Sequence, residues 1–241
     1  MNAGFGTEQL VRLRDLVTAG LGLAFADEQL EPLGAVATKR MHTLNLATSH
    51  EYLARLEDPE ARRAELAALA QFLTVPETFF FRGEEQFRVL IDASTAKVAE
   101  HGRALRLLSA GCASGEEPYS LAIALREALR SIQDWNISID AFDVNPSMID
   151  AAKRGSYGRW SLRATPDLLK QRYFRAEDRT FEVDRGVKAM VRFECKNLAD
   201  PASLRAEGAY DAIFCRNVLM YFDLEVARRI IRSFEKALKP T

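Results

Sequence analysis

The chain has 241 residues, of which 33 are lysine or arginine and 34 are aspartate or glutamate, so its formal net charge is −1. Hydrophobic residues make up 48% and charged residues 28%, as in an ordinary globular protein. A net charge so close to zero argues against a protein that binds nucleic acid non-specifically or associates with a membrane through a polybasic surface.

Cysteine usage and the lack of a long apolar run both indicate a cytoplasmic protein. The cysteines Cys112, Cys195 and Cys215 are far apart, and no CxxC or Cys/His spacing accompanies them. We therefore expect neither a disulfide framework nor a metal site. No run of about 18 apolar residues exists, and the N-terminus does not have the pattern of a signal peptide.

Residues 1–75 are predicted to form a helical domain. Apolar residues recur there at helical spacing, in one run with Leu10, Leu13, Val17 and Leu21 and in another with Leu66, Leu69 and Leu73. Gly20 and Gly22 are predicted to end the first helix, and Asp58-Pro59 to begin a later one. Residues 76–100 are predicted to form a linker and the first helix of the next domain.

Residues 101–241 are predicted to form an α/β domain, because strand and helix patterns alternate there. The strands are expected at 104–109, 137–143 and 210–215, with helices following Gly115 and Asn145 and a last helix near the C-terminus. This order implies a parallel, doubly wound sheet. An insertion near residues 178–195 is predicted to be a small antiparallel hairpin of 180–183 and 187–193 that turns at Arg185-Gly186.

The loop from Ser109 to Glu117, after the first predicted strand, is the best candidate for a ligand site. Its glycines allow close backbone approach, and the next helix offers amides at its N-terminus. The loop has neither the GxGxxG pattern nor the lysine of a P-loop. Glu116 and Glu117 would repel phosphate and favour an ammonium group, so S-adenosylmethionine (SAM) fits. The alternative is that these two acids only interact with the helix dipole.

Asp143 ends the second predicted strand. A carboxylate in this place can accept hydrogen bonds from ribose hydroxyls. The alternative is an Asx turn that leads into Asn145-Pro146. Considered together with the loop after the first strand, the ribose role is the favoured interpretation.

Four segments of the chain, taken in order, carry a family resemblance. They are Leu73 to Arg82, Ser109 to Ser120, Ala151 to Arg163, and Phe214 to Asp223. Together they resemble the chemotaxis receptor methyltransferases of the CheR type, over essentially the whole chain and most weakly over residues 1–60. The resemblance implies a class I SAM-dependent methyltransferase (Rossmann-like) sheet, a small antiparallel β-subdomain and an N-terminal all-helical domain. It also implies that the C-terminal strands of the family's sheet are missing after Thr241.

The resemblance implies a reaction as well. The family transfers the methyl group of SAM to glutamate side chains on the cytoplasmic helices of chemoreceptors, giving glutamyl methyl esters and S-adenosylhomocysteine (SAH). A glutamate carboxylate has an unperturbed pKa of about 4.3 and is already ionised at neutral pH, so the transfer needs no general base. The enzyme aligns the reactants and excludes water. We expect a monomer that binds chemoreceptor helices, does not insert into the membrane, and binds no nucleic acid.

Residue by residue, the resemblance implies a set of cofactor-binding side chains and backbone groups, namely Thr78, Arg82, Ala110, Gly111, Glu117, Asp143, Asn197, Leu198, Arg216 and Asn217. Glu117 would meet the methionine end of the cofactor and Asp143 its ribose. Asn197 and Leu198 would flank the adenine, while Arg216 and Asn217 would close the pocket. The implied catalytic residues are Tyr221, near the transferred methyl group, and Arg82, which would orient the acceptor carboxylate.

The chain departs from the family pattern in several places. Pro76 stands where some members have an asparagine that touches the cofactor. The second helix keeps only Lys39 and Arg40 as formal cations, so electrostatic attraction to an acidic receptor is expected to be weaker. The insertion around Asp178 to Gly186 is short, so we expect no tethering to a receptor's C-terminal pentapeptide.

Two other functions stay open at this stage. One is a regulatory or interaction module that binds SAM or SAH without transferring a methyl group. The other is a methyltransferase that acts on a different acidic substrate.

Overall fold

The structure is a computed structural model that describes residues 4–75, 77–83, 85–89, 91–93, 103–129, 131–204 and 208–240. Within the predicted linker and first helix at 76–100, residues 76, 84, 90 and 94–100 lie outside the described residues. Contacts divide the chain into a helical unit, Met1–Val75 with Val218–Ile230, and a sheet unit, Pro76–Asn217 with Ile231–Thr241. The segment Val218–Ile230, which the sequence placed with the α/β domain, is thus grouped with the helices.

The helical unit contains the helices α1 (Thr7–Leu21), α2 (Leu30–Leu44), α3 (Ser49–Glu57) and α4 (Pro59–Leu73). The apolar residues predicted to line α1 are all buried, namely Leu10, Leu13, Val17 and Leu21. Asp58 accepts a hydrogen bond from the Glu60 N–H at 3.2 Å and Pro59 is the first residue of α4, so the start predicted there is confirmed.

Gly20 and Gly22 have different roles at the end of α1. Gly22 ends the helix in a left-handed conformation with φ 79°, as predicted. The prediction that Gly20 also ends it is wrong, because α1 continues to Leu21. A Cβ at Gly20 would lie 2.3 Å from Cδ1 of Leu66, so this glycine permits the close packing of α1 on α4.

A buried ion pair fixes α2 to α4. Nε of Arg40 donates to Oε1 of Glu65 at 2.8 Å, and its Nη2 donates to Oε2 at 3.0 Å. The Tyr52 hydroxyl also donates to Oε1, at 2.8 Å, and Glu65 is 1% exposed. Arg40 is therefore engaged inside the helical unit and does not add to its outer charge, contrary to the expectation from sequence. Lys39 is exposed.

The sheet unit contains the strands β1 (Ala104–Ala110), β2 (Asn136–Asp143), β3 (Ser156–Gly158), β4 (Phe174–Glu177), β5 (Thr180–Val183), β6 (Val191–Cys195) and β7 (Ala212–Phe214). Its helices include α5 (Glu116–Ala128), α6 (Pro146–Arg154), α7 (Asp167–Tyr173) and α8 (Arg185–Lys188). The last helix, α9 (Leu224–Ala237), begins within the helical unit and ends within the sheet unit. In the described part of the chain, no helix combines the length and the apolar character needed to cross a membrane.

The main sheet is parallel, with the strand order β6-β2-β1-β7. Helix α5 follows β1 and α6 follows β2, so the predicted strand–helix alternation and the parallel α/β architecture are confirmed. Leu107 and Ile139 of the two central strands and Ile123 of α5 are fully buried in the core of this unit.

A second sheet is antiparallel, with the order β3-β5-β4, and it corrects the predicted hairpin. The chain turns between β4 and β5 at Asp178, which has φ 42°. Asp184 instead caps α8, because its Oδ1 accepts from the Gly186 N–H at 2.9 Å. Residues 191–195 do form a strand, but it pairs with β2 of the main sheet rather than with residues 180–183.

Candidate cofactor site

The carboxyl ends of the parallel strands bring several predicted site residues to one edge of the sheet. Ala110 pairs with Phe142, Asp143 with Cys195, and Ser109 with Phe214. The loop at Gly111, the carboxylate of Asp143, and the segments that follow β6 and β7 therefore lie along the same edge. Open α/β sheets bind their ligands in this position.

The backbone amide groups of the loop after β1 donate hydrogen bonds to acceptors within the protein. The N–H groups of Gly111 and Cys112 donate to the Phe142 carbonyl at 2.8 and 2.9 Å, and the Gly115 N–H donates to the Cys112 carbonyl at 2.9 Å. The Ala113 N–H donates to Oδ2 of Asp143 at 2.8 Å. These amides are thus engaged within the protein, in keeping with a ligand that carries no phosphate.

Gly115 shows why the loop needs a glycine before α5. Its φ is 95°, a left-handed conformation that side chains disfavour, and a Cβ there would lie 2.8 Å from Cβ of Ala152 in α6. The close approach of the loop to α6 therefore requires glycine. The Tyr157 hydroxyl donates to the Ser114 carbonyl at 2.6 Å and holds the loop from β3.

Asp143 takes part in an Asx turn and keeps the capacity to bind a ligand. Its Oδ1 accepts from the Asn145 N–H at 2.9 Å, while its Oδ2 accepts from the Ala113 N–H. Burial raises the pKa of Asp143, and these backbone hydrogen bonds act in the opposite direction. A carboxylate oxygen can accept two hydrogen bonds. The two interpretations that the sequence left open are therefore compatible.

Glu117, at the start of α5, is a mostly buried carboxylate, and the residues that the structure describes supply it with an incomplete set of partners. The Ser109 hydroxyl donates to its Oε1 at 2.8 Å, and Nη1 of Arg216 is 3.4 Å from its Oε2. The side chains of Glu117 and Arg216 are 14% and 16% exposed. Burial raises the pKa of Glu117, while Ser109, Arg216 and Arg82 act against that rise. Oε2 is thus positioned to accept a further hydrogen bond.

Arg216, just after β7, connects Glu117 to the linker. Its Nη2 donates to the carbonyl of Arg82. Gly83 follows with φ 72°, and a Cβ there would lie 2.6 Å from Nη2 of Arg216. The side chain of Arg82 turns back along the linker, where its Nη1 donates to the Glu77 carbonyl at 3.1 Å.

Serine hydroxyls that the sequence did not single out hold the linker and the loop. The Phe81 N–H donates to Oγ of Ser120 at 2.9 Å, and that hydroxyl donates to the Glu116 carbonyl at 2.6 Å. Ser109 and Ser120 are fully buried. The only feature of the sequence that could have pointed to these residues is a serine within an otherwise apolar run. Thr78 is half-buried on this linker.

The other predicted site residues are placed as follows. Asn197 is half-buried just after β6, where its Oδ1 accepts from the Ala199 N–H at 2.9 Å, and Leu198 is 9% exposed. Asn217 is exposed, with φ 56°. Tyr221 belongs to the helical unit and is 40% exposed. The geometry of the sheet unit therefore does not include Tyr221, and its catalytic role stays a prediction.

Two of the cysteines near this edge, Cys112 and Cys215, are unsuited to nucleophilic chemistry. Burial raises the pKa of the Cys112 thiol, and it raises the pKa of Cys215 to about 12. Both thiols are protonated at neutral pH, whereas the thiolate is the nucleophile. No group of three metal-ligating side chains is found within the described ranges.

The fold is an open α/β domain with a candidate ligand site at the carboxyl ends of its strands, and the comparison with known families identifies the class of this domain. The family model described as "CheR methyltransferase, SAM binding domain" matches residues 76–241. The chain therefore belongs to the CheR methyltransferase family, and the predicted fold class and SAM cofactor are confirmed.

Similar proteins include both chemotaxis and biofilm methyltransferases. The "Probable biofilm formation methyltransferase WspC" of Pseudomonas aeruginosa is 34% identical over 231 residues, which are 95% of this chain and 54% of that protein. The "Chemotaxis protein methyltransferase" of Escherichia coli is 33% identical over 238 residues, 95% of this chain and 79% of that protein. "Chemotaxis protein methyltransferase 2" of Pseudomonas aeruginosa is 32% identical over 240 residues, 97% of this chain and 82% of that protein. The chain thus spans about half the length of the WspC relative.

Proposed function

We propose that this chain transfers the methyl group of SAM to glutamate carboxylates on the cytoplasmic helices of a chemoreceptor. The products would be glutamyl methyl esters and SAH, and the reaction would take place in the cytoplasm. The observation that carries the proposal is the incompletely partnered carboxylate of Glu117, at the ligand-binding edge of a domain that belongs to a SAM-binding family.

The residues at this edge fit the cofactor. Oε2 of Glu117 can accept from the ammonium group of SAM, and Asp143 can accept from the ribose hydroxyls. The backbone amides of the loop donate to acceptors within the protein, which is consistent with a ligand that carries no phosphate. When bound, SAM supplies an activated methyl group on its sulfonium sulfur.

The other residues would hold the cofactor and prepare the acceptor. Asn197 and Leu198 would flank the adenine, and Thr78 and Arg82 would contact the cofactor from the linker. Arg216 supports this arrangement through the Arg82 carbonyl. The acceptor glutamate is ionised at neutral pH, so the protein need not remove a proton from it. Its contribution is to orient the carboxylate and to exclude water.

Calorimetric titration with SAM and SAH tests cofactor binding. The wild type is expected to bind both, and Asp143→Ala should weaken binding by about 10-fold or more, because hydrogen bonds to a charged group are lost. Asp143→Asn keeps one carbonyl oxygen, so its affinity should lie between those of the wild type and Asp143→Ala. Asp167→Asn removes an exposed carboxylate in α7 and should bind like wild type. A folded wild type that binds neither compound would overturn the proposal.

Transfer of a radiolabelled methyl group to a chemoreceptor's cytoplasmic fragment tests the substrate. Glutamyl methyl esters release the label as methanol in base, which distinguishes them from methylated amines. We propose that transfer does not depend on a C-terminal receptor pentapeptide, because only residues 178 and 179 join β4 to β5. A receptor fragment that lacks the pentapeptide should therefore be methylated at the same rate. A slower rate would contradict that part of the proposal.

A receptor of a biofilm signalling system is the second candidate acceptor. It is favoured by the similarity to the Pseudomonas aeruginosa protein named as a probable biofilm formation methyltransferase. Parallel assays with fragments of both receptor types would separate the candidates by kcat/KM. SAM binding without transfer to any acidic acceptor would instead indicate a regulatory SAM-binding module. In that case Tyr221→Phe should change nothing that can be measured.

A further inference from the structure

An arginine is held between two aromatic rings on the surface of the sheet unit. Cζ of Arg163 lies 3.8 Å from the ring centre of Phe79 and 4.4 Å from that of Trp160. Nη1 of Arg163 donates to the Trp160 carbonyl at 2.9 Å, which fixes the guanidinium further. We call Phe79, Trp160 and Arg163 the arginine stack. Contacts of this kind orient a guanidinium and leave its edge free to bind an anion.

The arginine stack presents an unusual apolar surface. Trp160 is 73% exposed, although tryptophan is highly buried on average. Exposed aromatic residues beside arginine are typical of the energetically important parts of protein interfaces. The residue is thus better explained by contact with a partner than by the packing of this chain alone.

The stack already faces a carboxylate of its own chain. Oε1 of Glu77 lies 3.7 Å from Nη2 of Arg163, and the Glu77 side chain is 70% exposed. A pair so long and so exposed contributes little and is easily exchanged. Arg82 lies beside the same ring, with its Cζ 5.8 Å from the centre of Phe79. Glu77 is therefore the exposed carboxylate that contacts Arg163, while the buried carboxylate of Glu116 interacts with it from inside the protein.

Hydrogen bonds connect the stack to the loop that starts α5. The Phe80 N–H donates to the Ser161 carbonyl at 2.9 Å, which joins the linker to the segment that carries Trp160 and Arg163. The Ser114 hydroxyl donates to the Glu116 carboxylate at 2.7 Å. Burial raises the pKa of Glu116, and Ser114, Ser161 and Arg163 act against that rise. The stack thus lies beside the first turn of α5, on which Glu117 is placed.

We propose that the arginine stack binds a carboxylate of the acidic helical segment that carries the methyl-accepting glutamate, and that this carboxylate replaces Glu77. The inference rests on the proposed function, because a glutamate methyltransferase must recognise an acidic segment. The cationic edge of Arg163 complements the charge of that segment, and the exposed face of Trp160 complements its apolar side chains. The sequence assigned orientation of the acceptor to Arg82. The stack adds a second arginine, which two aromatic rings orient and whose side chain is 24% exposed.

Tryptophan fluorescence tests the binding without requiring methyl transfer. The chain has two tryptophans, so the variant Trp135→Phe leaves Trp160 as the reporter. The probe is a synthetic alanine-rich helical peptide with two glutamates on one face, and its control has glutamine in both places. The glutamate peptide should change the Trp160 emission and bind about 10-fold more tightly than the glutamine peptide, because a charged hydrogen bond is lost. Equal binding of the two peptides would overturn the proposal.

Arg163→Gln, introduced into the Trp135→Phe variant, should weaken binding of the glutamate peptide by about 10-fold or more. Arg159→Gln makes the same change of charge at an exposed arginine on the same segment and should alter binding by less than about twofold. Glu77→Gln should strengthen binding, because the competing carboxylate is gone. Weakening by Arg159→Gln to the same extent would indicate general electrostatic attraction and contradict the proposal. If Trp135→Phe does not fold, the wild type compared with Trp160→Phe gives the same signal by difference.

Steady-state methylation separates this inference from the proposed function. Arg163→Gln should raise KM for the acceptor about 10-fold with little change in kcat, while the calorimetric affinity for SAM stays at the wild-type value. Arg163→Lys should give a smaller rise, since it keeps the charge and loses the planar fork. If the wild type transfers methyl groups and Arg163→Gln has the same KM for the acceptor, the inference about the arginine stack is refuted and the proposed function stands. Loss of SAM affinity in Arg163→Gln would show a structural role and would also refute it.

Discussion

Two glutamates with little exposure to water, Glu65 in the helical unit and Glu117 in the sheet unit, differ in how completely the described residues supply them with partners. In the helical unit, both carboxylate oxygens of Glu65 accept hydrogen bonds from Arg40, and Tyr52 adds another at 2.8 Å. In the sheet unit, Glu117 has one short hydrogen bond, from Ser109, and one long contact of 3.4 Å to Arg216. Both side chains are largely removed from water.

The comparison separates a structural carboxylate from one available to a ligand. A buried charge with all its partners supplied by the chain holds the fold together, and its loss leaves the partners buried and unpaired. A buried charge with a missing partner costs stability in the free protein and gains that partner when a cation binds. The number and length of the hydrogen bonds, more than burial itself, are therefore the reason for proposing Glu117 rather than Glu65 as the glutamate that binds the cofactor.

The largest expected effect is on stability, from Glu65→Ala. The change leaves the Arg40 guanidinium and the Tyr52 hydroxyl without their shared partner, so the free energy of unfolding should fall by about 3–5 kcal/mol. Urea denaturation measures it. Glu57→Ala, which breaks the exposed pair with Arg12, should cost no more than about 1 kcal/mol. If the two variants were equally stable, the contrast between the glutamates would lose its basis.

Glu117→Gln should act on ligand binding rather than on stability. The variant keeps the shape of the side chain and removes the charge that would face the ammonium group. Affinity for SAM should fall by about 10–100-fold, the value of a charged hydrogen bond. Calorimetry measures the affinity, and urea denaturation should show stability that is unchanged or higher. Glu127→Gln, at a more exposed glutamate of α5, is the matched control. Wild-type affinity in Glu117→Gln would place the ammonium group elsewhere.

The pH dependence of binding gives a sharper test of the same carboxylate. Burial raises the pKa of Glu117 above its ordinary value of 4.5. The protonated side chain therefore favours the folded state below pH 4.5, and this contribution to the free energy of unfolding is lost as pH rises through the raised pKa. Binding of SAM needs the carboxylate, so affinity should rise across the same window, by up to about tenfold per pH unit. Titrations at a series of pH values from 4.5 to neutrality measure this rise. The profile should be flatter in Glu117→Gln, and identical profiles would exclude Glu117 as the titrating group.

The smallest expected effect comes from Ser109→Ala. Its hydroxyl is the closest partner of Glu117 and helps to keep that carboxylate ionised. Its loss should weaken SAM binding by about fivefold, equivalent to one ordinary hydrogen bond of about 1 kcal/mol, and should raise the pKa of Glu117 further. The matched control is Ser138→Ala, at a serine of β2 well before the carboxyl end of the strand. Tighter binding by Ser109→Ala would contradict this role of the hydroxyl.

Local patterns predicted the elements well, because each depends on nearby residues. The apolar spacing of α1, the cap at Asp58 and the strand that ends at Asp143 are all recorded within short stretches of sequence. The order of strands and helices was enough to predict the parallel sheet. The strand at 191–195 was also predicted, but its partner was not, because the choice between β2 and β5 is made by packing over long distances in the chain.

The features that sequence reasoning missed depend on contacts between distant segments of the chain. Arg40 counted as an available cation until its partner, 25 residues away, was known. Arg163 is distinguished from other arginines by the two rings around it, and one of them comes from the linker. Ser109 becomes informative only once Glu117 is placed against it. The assigned roles of the cofactor-binding residues, beyond their placement, stay predictions.

The grouping of Val218–Ile230 with the first 75 residues bears on which part of the chain could stand alone. The Ala24 N–H donates to the Tyr221 carbonyl at 2.9 Å, and Leu23 and Phe222 form an antiparallel bridge. A fragment of residues 1–75 would lose these main-chain partners. We therefore expect the helical unit to need Val218–Ile230 in order to reach its full stability.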